Sequence, residues 1–134
     1  MYAPNWVLDT AKAISGDIVN THERGAVIQS YRSRMDITQE ELSQIMQLRR
    51  ETISRIENGR VTPTLAFIHK FSGVATLMEA VKSFRSMNSA IDYPYFIRVG
   101  AEIGVPQEKI TSIVDAAVQN YDKKRKKAIR FLER

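Results

Sequence analysis

A chain of 134 residues and 15.3 kDa can enclose one compact core, which sets aside two-lobed enzymes holding a cofactor and a substrate between domains. Hydrophobic residues at 43% and charged residues at 26% are ordinary for a folded domain, no apolar run approaches the roughly 18 residues that span a bilayer, and Met1 to Thr10 lacks the basic-then-apolar layout of a secretory signal. The net charge of +5 is local: seven basic residues (Lys123, Lys124, Arg125, Lys126, Lys127, Arg130, Arg134) and two acidic ones (Asp122, Glu133) fall between Val118 and Arg134, and the rest of the chain is neutral by count.

Zero cysteines remove disulfides, thiolate nucleophiles and cysteine metal sites together. His22 and His69 are too far apart to form a helical ligand pair, so no metal and no cofactor is expected. The expectation is a cytoplasmic, nonenzymatic protein, because there is also no Gly-rich phosphate loop and no nucleophile-base constellation.

Nearly every segment prefers the 3.6-residue repeat, and no alternating run reads as a strand, so the fold class is all-α. After Pro4, a stripe of Val7, Leu8, Ala11 and Ile14 predicts a helix that Ser15-Gly16 should end. A second helix is predicted from about Thr21, with Val27, Ile28 and Tyr31 inward and Gly25 weakening it. Thr38-Gln39-Glu40-Glu41 is a capping box opening a short helix that carries Leu42, Ile45 and Met46. Arg49 to Glu57 forms the next, with Ile53 and Ile56 apolar and Asn58-Gly59 as its stop. Thr62-Pro63-Thr64 starts another, which Ser72-Gly73 should interrupt or end before Val74, Leu77, Met78, Val81 and Phe84 resume the pattern.

Ser86 to Pro94 dilutes the hydrophobic pattern and ends in Tyr93-Pro94, where the residue before proline is disfavoured as helix, so a linker is placed at 86–94. Three regions follow: 1–85 with the motif at 38–60, the linker, and a helical extension at 95–134. The extension reads as Tyr95 to Ile103, a Gly104 stop, Pro106 at a first helical position, and a long helix with Ile110, Ile113, Val114, Ala117, Val118 and Tyr121 on one stripe. An apolar stripe on so small a unit invites burial against a copy of itself, which predicts a homodimer. The aromatics Trp6 and Tyr93 to Phe96 suit packing better than base stacking.

The informative stretch is Ile37 to Pro63. A short capped helix, a tight turn and a second short helix is the arrangement that presents the second helix to a DNA major groove. On that second helix Glu51, Arg55 and Asn58 fall at i, i+4 and i+7, flanked by Arg50 and Ser54, with Ile53 and Ile56 pointing back. Arginine can bond both acceptors of a guanine edge and a carboxylate can accept from cytosine, so this face can read bases.

Thr38 to Leu42 and Thr52 to Gly59, with Pro63 downstream, resemble the helix-turn-helix of the Xre/Cro/cI family of DNA-binding repressors. The resemblance extends over about Glu23 to Phe71, and Ile14 to Arg34 looks like an archaeal branch of that family. It implies a lambda-repressor-like five-helix DNA-binding domain with additional N-terminal and C-terminal helices. It also implies base contacts from Arg50, Glu51, Ser54 and Arg55, phosphate contacts from Gln39, Arg49, Asn58 and Arg60, and a pair between Arg32 and Glu57 locking the first helix to the recognition helix. Two positions depart from the family pattern: Gln47 stands where the turn usually has glycine, and Arg49 stands at the N-cap, where it cannot accept an amide hydrogen bond.

The functional expectation is a sequence-specific regulator that binds double-stranded DNA at a palindromic operator as a dimer, more readily a repressor than an activator. An adaptor bridging proteins through the same helices is the alternative. Lys123, Lys124, Arg125, Lys126 and Lys127 are either a phosphate-binding arm or a solvated helix face.

Overall fold

Seven helices and no strand make up residues 3–87 and 90–133, the part of the chain that the computed structural model describes: α1 (Asn5–Val19), α2 (Arg24–Arg34), α3 (Gln39–Met46), α4 (Arg50–Glu57), α5 (Leu65–Ser86), α6 (Tyr93–Glu102) and α7 (Gln107–Leu132). Helix α5 is the axis of the molecule, apolar nearly all round and buried from Phe71 through Met78, as a helix enclosed by others must be. Against it pack α1 on one side and α6 and α7 on another, while α2, α3 and α4 form the remaining lobe. A single hydrophobic cluster runs from Val7 and Ile28 through Leu42, Ile53, Phe71 and Leu77 to Phe96, Ile110 and Val114.

Several boundaries differ from those the sequence suggests, each for a tertiary reason. Helix α1 runs through Ser15-Gly16 to Val19, because Ile18 is fully buried and Ser15 donates to Ser72 Oγ at 2.7 Å, which ties α1 to α5. Helix α2 starts at Arg24, three residues after Thr21, whose hydroxyl instead accepts from Glu23 N. Helix α5 passes through Ser72-Gly73 without a break: the Ser72 hydroxyl is satisfied on Ile68 O, and Gly73 is where the α6–α7 connection presses closest, since a Cβ there would stand 2.4 Å from Ile103 O. Close approach, not chain termination, is the use of that glycine.

Helix α6 begins at Tyr93 itself, because Asp92 caps Tyr95 N and Pro94 falls in the first turn, where its missing N–H is not needed. Pro106 is the N-cap of α7, so the helix starts at Gln107, one residue later than expected. Within the 86–94 linker expected from sequence, Asn88 and Ser89 lie outside the described residues, as does Arg134 of the basic run. The α7 stripe expected to need a second copy, Ile110, Ile113, Val114 and Ala117, is buried within the chain. The aromatics of α6 are packing groups: Tyr95 and Phe96 meet each other and Phe84 of α5 in edge or tilted contacts at 5.3–5.9 Å, and Tyr93 donates to Asp115 on α7. Trp6, by contrast, is 43% exposed. Among the described residues no helix is long and apolar enough to cross a membrane.

Candidate nucleic-acid interface

The capping box forms in full: Thr38 Oγ1 accepts from Glu41 N at 3.1 Å, and Glu41 Oε1 accepts from Thr38 N at 3.0 Å. Two of the orphan amides at the start of α3 are thus satisfied reciprocally. Leu42, Ile45 and Met46 bury the inner face of this helix.

The turn that follows keeps the left-handed conformation with glutamine in glycine's usual place: Gln47 has φ 57° and ψ 42°, and Leu48 N closes back onto Ser43 O at 2.9 Å. The left-handed region brings Cβ too close to the following carbonyl, at a cost of about 1 kcal/mol or more for a residue other than glycine. Gln47→Gly is therefore expected to raise stability by about 0.5–1 kcal/mol, read as a higher urea midpoint with an unchanged slope; a lower midpoint would show that Gln47 makes a compensating contact.

Helix α4 is the most sharply two-sided of the motif helices. Ile53 and Ile56 are buried, whereas Arg50, Glu51 and Arg55 are exposed and Ser54 is half-buried, accepting from Asn58 Nδ2 at 3.4 Å. Arg49 sits at the N-cap with no side-chain cap bond, as its chemistry requires, and Gly59 at φ 76° lets Arg60 N reach Arg55 O at 2.9 Å to close the other end. Arg49, Asn58 and Arg60 are all exposed, one at the start of α4 and two just beyond its end. None of these side chains is covered by α6 or α7: the polar strip faces solvent.

What holds α4 in place is a charged cluster. Glu57, 1% exposed at its side chain, accepts from Arg32 Nε at 2.7 Å and Nη2 at 3.0 Å, a fork-on-fork pair. Arg32 Nη1 also donates to Ile37 O at 2.9 Å, and Gln39 Nε2 donates to Glu57 Oε1 at 3.1 Å. The pair joins α2, the connection after it, α3 and α4 in one network. Gln39 thus spends one N–H of its amide on the lock, so a phosphate would be met by the second N–H or by backbone N–H groups at the α3 N-terminus beside it. Sequence reasoning did not foresee Gly25: a Cβ there would lie 2.3 Å from Ile56 O and 2.5 Å from Glu57 O, so its lack of a side chain is what lets α2 touch the end of α4.

The second group missed is at Asp36. This residue has φ 60°, and its carboxylate is held by Lys82 of α5 at 3.3 Å and Lys124 of α7 at 2.8 Å, while Asn120 Nδ2 donates to its carbonyl at 3.1 Å. Partial burial pushes the Asp36 carboxyl up, but the hydrogen bonds and charges of Lys124 and Lys82 together hold it below its ordinary value, so it is ionised at neutral pH. An aspartate between two helices is a weak clue to a left-handed residue; nothing in the sequence points to its partners, which lie 46 and 88 positions away.

Capped positioning helix, tight left-handed turn and open-faced second helix, locked by a buried ion pair, define a helix-turn-helix. Residues 28–74 match the family model described as helix-turn-helix, covering the chain from within α2 to the middle of α5. No curated protein and no solved structure matches the chain significantly. The chain carries an Xre/Cro/cI-type helix-turn-helix domain, that of DNA-binding transcription regulators, within an all-α, lambda-repressor-like fold with extra helices.

Proposed function

We propose that the protein is a sequence-specific transcriptional regulator that occupies a palindromic operator as a homodimer and acts as a repressor by blocking promoter access. The observation that carries this reading is the open polar strip on α4, backed by buried Ile53 and Ile56 and fastened by Arg32–Glu57. Arg50, Glu51, Ser54 and Arg55 select the bases; Gln39, Arg49, Asn58 and Arg60 take the backbone phosphates at the two ends of the motif and set register. Exposed Ile129, Phe131 and Leu132 at the end of α7 provide apolar surface for self-association, and a two-fold assembly would present two recognition helices to two half-sites about one helical turn apart.

Duplexes recovered by selecting bound genomic fragments are the probe. Arg50→Ala and Arg55→Ala are each expected to reduce discrimination between the selected sequence and random duplex by about 5- to 150-fold, the equivalent of about 1–3 kcal/mol for one bidentate base contact. Unchanged discrimination in both variants would overturn the base-reading assignment, and a wild-type protein without sequence preference would favour the adaptor role.

A further inference from the structure

The excess positive charge of the chain sits on the part of helix α7 that has left the core. Its residues Ile110, Ile113, Val114 and Ala117 are buried, whereas every described residue from Lys123 to Glu133 is exposed. Lys123 and Lys126, Lys123 and Lys127, and Lys124 and Lys127 are spaced i, i+3 or i, i+4, so like charges face one another along the helix, each pair unfavourable by a few tenths of a kcal/mol. A helix end with repelling cations and no apolar support is marginal by itself. A polyanion alongside would remove that repulsion.

Where this end leaves the body is set by the Asp36 clasp together with the Arg85–Asp122 pair, which ties α7 to α5 at 3.1 Å. Asn120 donates to Asp36 O at 3.1 Å and Lys124 pairs with Asp36 Oδ1 at 2.8 Å, so α7 crosses the chain three residues ahead of Gln39, the first residue of α3. From the other side Arg32 holds Ile37 O and Glu57. The connection entering α3 is therefore gripped by both α7 and the recognition-helix lock. The Lys124 side chain is 67% exposed, too solvated for its ion pair to add much stability, so its consequence is register rather than energy.

We propose that Lys123, Lys127 and Arg130 form a second DNA-backbone contact beyond the helix-turn-helix, held by the Asn120–Asp36 clasp against the phosphates that adjoin the N-terminus of α3. Lys124 neutralises an aspartate that would otherwise face those phosphates, and the other cations follow along the helix in fixed register. This rests on the DNA-binding reading above.

The test is the salt dependence of affinity of the full chain for a random-sequence duplex, measured by fluorescence anisotropy. Lys123→Ala/Lys127→Ala is expected to lower the steepness of log K against log salt by about 1.8, about 0.9 for each phosphate no longer neutralised, with helical content by circular dichroism no lower than in wild type. Asn120→Ala alters no charge, so a lower steepness in that variant isolates positioning; unchanged steepness there overturns the clasp. Steepness unchanged in the lysine variant, while wild type binds duplex, overturns the second contact and leaves the helix-turn-helix reading intact. Wild type without salt-dependent duplex binding overturns both. Loss of binding to phosphatidylserine vesicles with no change on duplex would assign the run to an anionic membrane surface and likewise overturn the proposal.

Discussion

Glu57→Ala is expected to destabilise the fold by about 3–5 kcal/mol, the range seen when one partner of a buried ion pair is removed. The variant strips Arg32 of both guanidinium partners on Glu57 and deprives Gln39 of its acceptor, leaving a guanidinium with only 13% of its side chain exposed to find solvent. Total stabilities of small domains are about 5–15 kcal/mol, so the loss should bring the urea midpoint down steeply and weaken duplex binding with it. The cost lies in the stranded charge and not in a missing attraction. Replacing both partners, Arg32→Met with Glu57→Leu, should therefore be clearly less damaging than Glu57→Ala alone, and an equal or larger loss in the double variant would refute that account.

The second large effect is expected at Gly25. In Gly25→Ala the added methyl group would meet the carbonyl oxygens of Ile56 and Glu57 at 2.3 and 2.5 Å. Both are backbone atoms in the last turn of α4, so no rotamer change relieves the clash, and either α2 or the recognition helix must shift. Overpacking of this kind costs about 1–3 kcal/mol or more, against which the better helix propensity of alanine returns at most about 1 kcal/mol. A net loss of stability together with weaker duplex affinity, measured where the variant is still folded, would show that α4 has been displaced. Gly16→Ala is the control, since its nearest neighbour would be Asn20 Nδ2 at 3.8 Å, and it should be neutral or mildly stabilising. If the two substitutions behave alike, close packing at Gly25 is not what the glycine serves.

The motif itself was readable because its determinants are local. The capping box at Thr38 and Glu41, the alternation of Ile53 and Ile56 with Arg50, Glu51 and Arg55, and the left-handed Gly59 each depend on residues within a turn or two of one another. The Arg32–Glu57 pair is a different case: 25 positions separate the partners, and only the family resemblance brought them together in advance of the structure. The glycines misled where their role is to admit a neighbour. Gly16 and Gly73 look like helix stops, yet α1 and α5 run through them, because burial of Ile18 and Val74 on the central core outweighs a cost of about 1 kcal/mol for glycine within a helix.

By itself, then, the order of residues determined that the chain is helical, where the two short helices and their turn fall, and which side chains the second of them turns outward, since each follows from periodicity, capping and backbone preference over a few residues. Only the tertiary structure decided that the apolar stripe of α7 is buried on its own chain, that Gly25 and Gly73 are points of contact between elements, and that Asp36 fastens the basic helix beside the motif. Those outcomes depend on which surfaces meet across tens of residues, and the spacing of residues along one helix carries no record of the partner that will cover it.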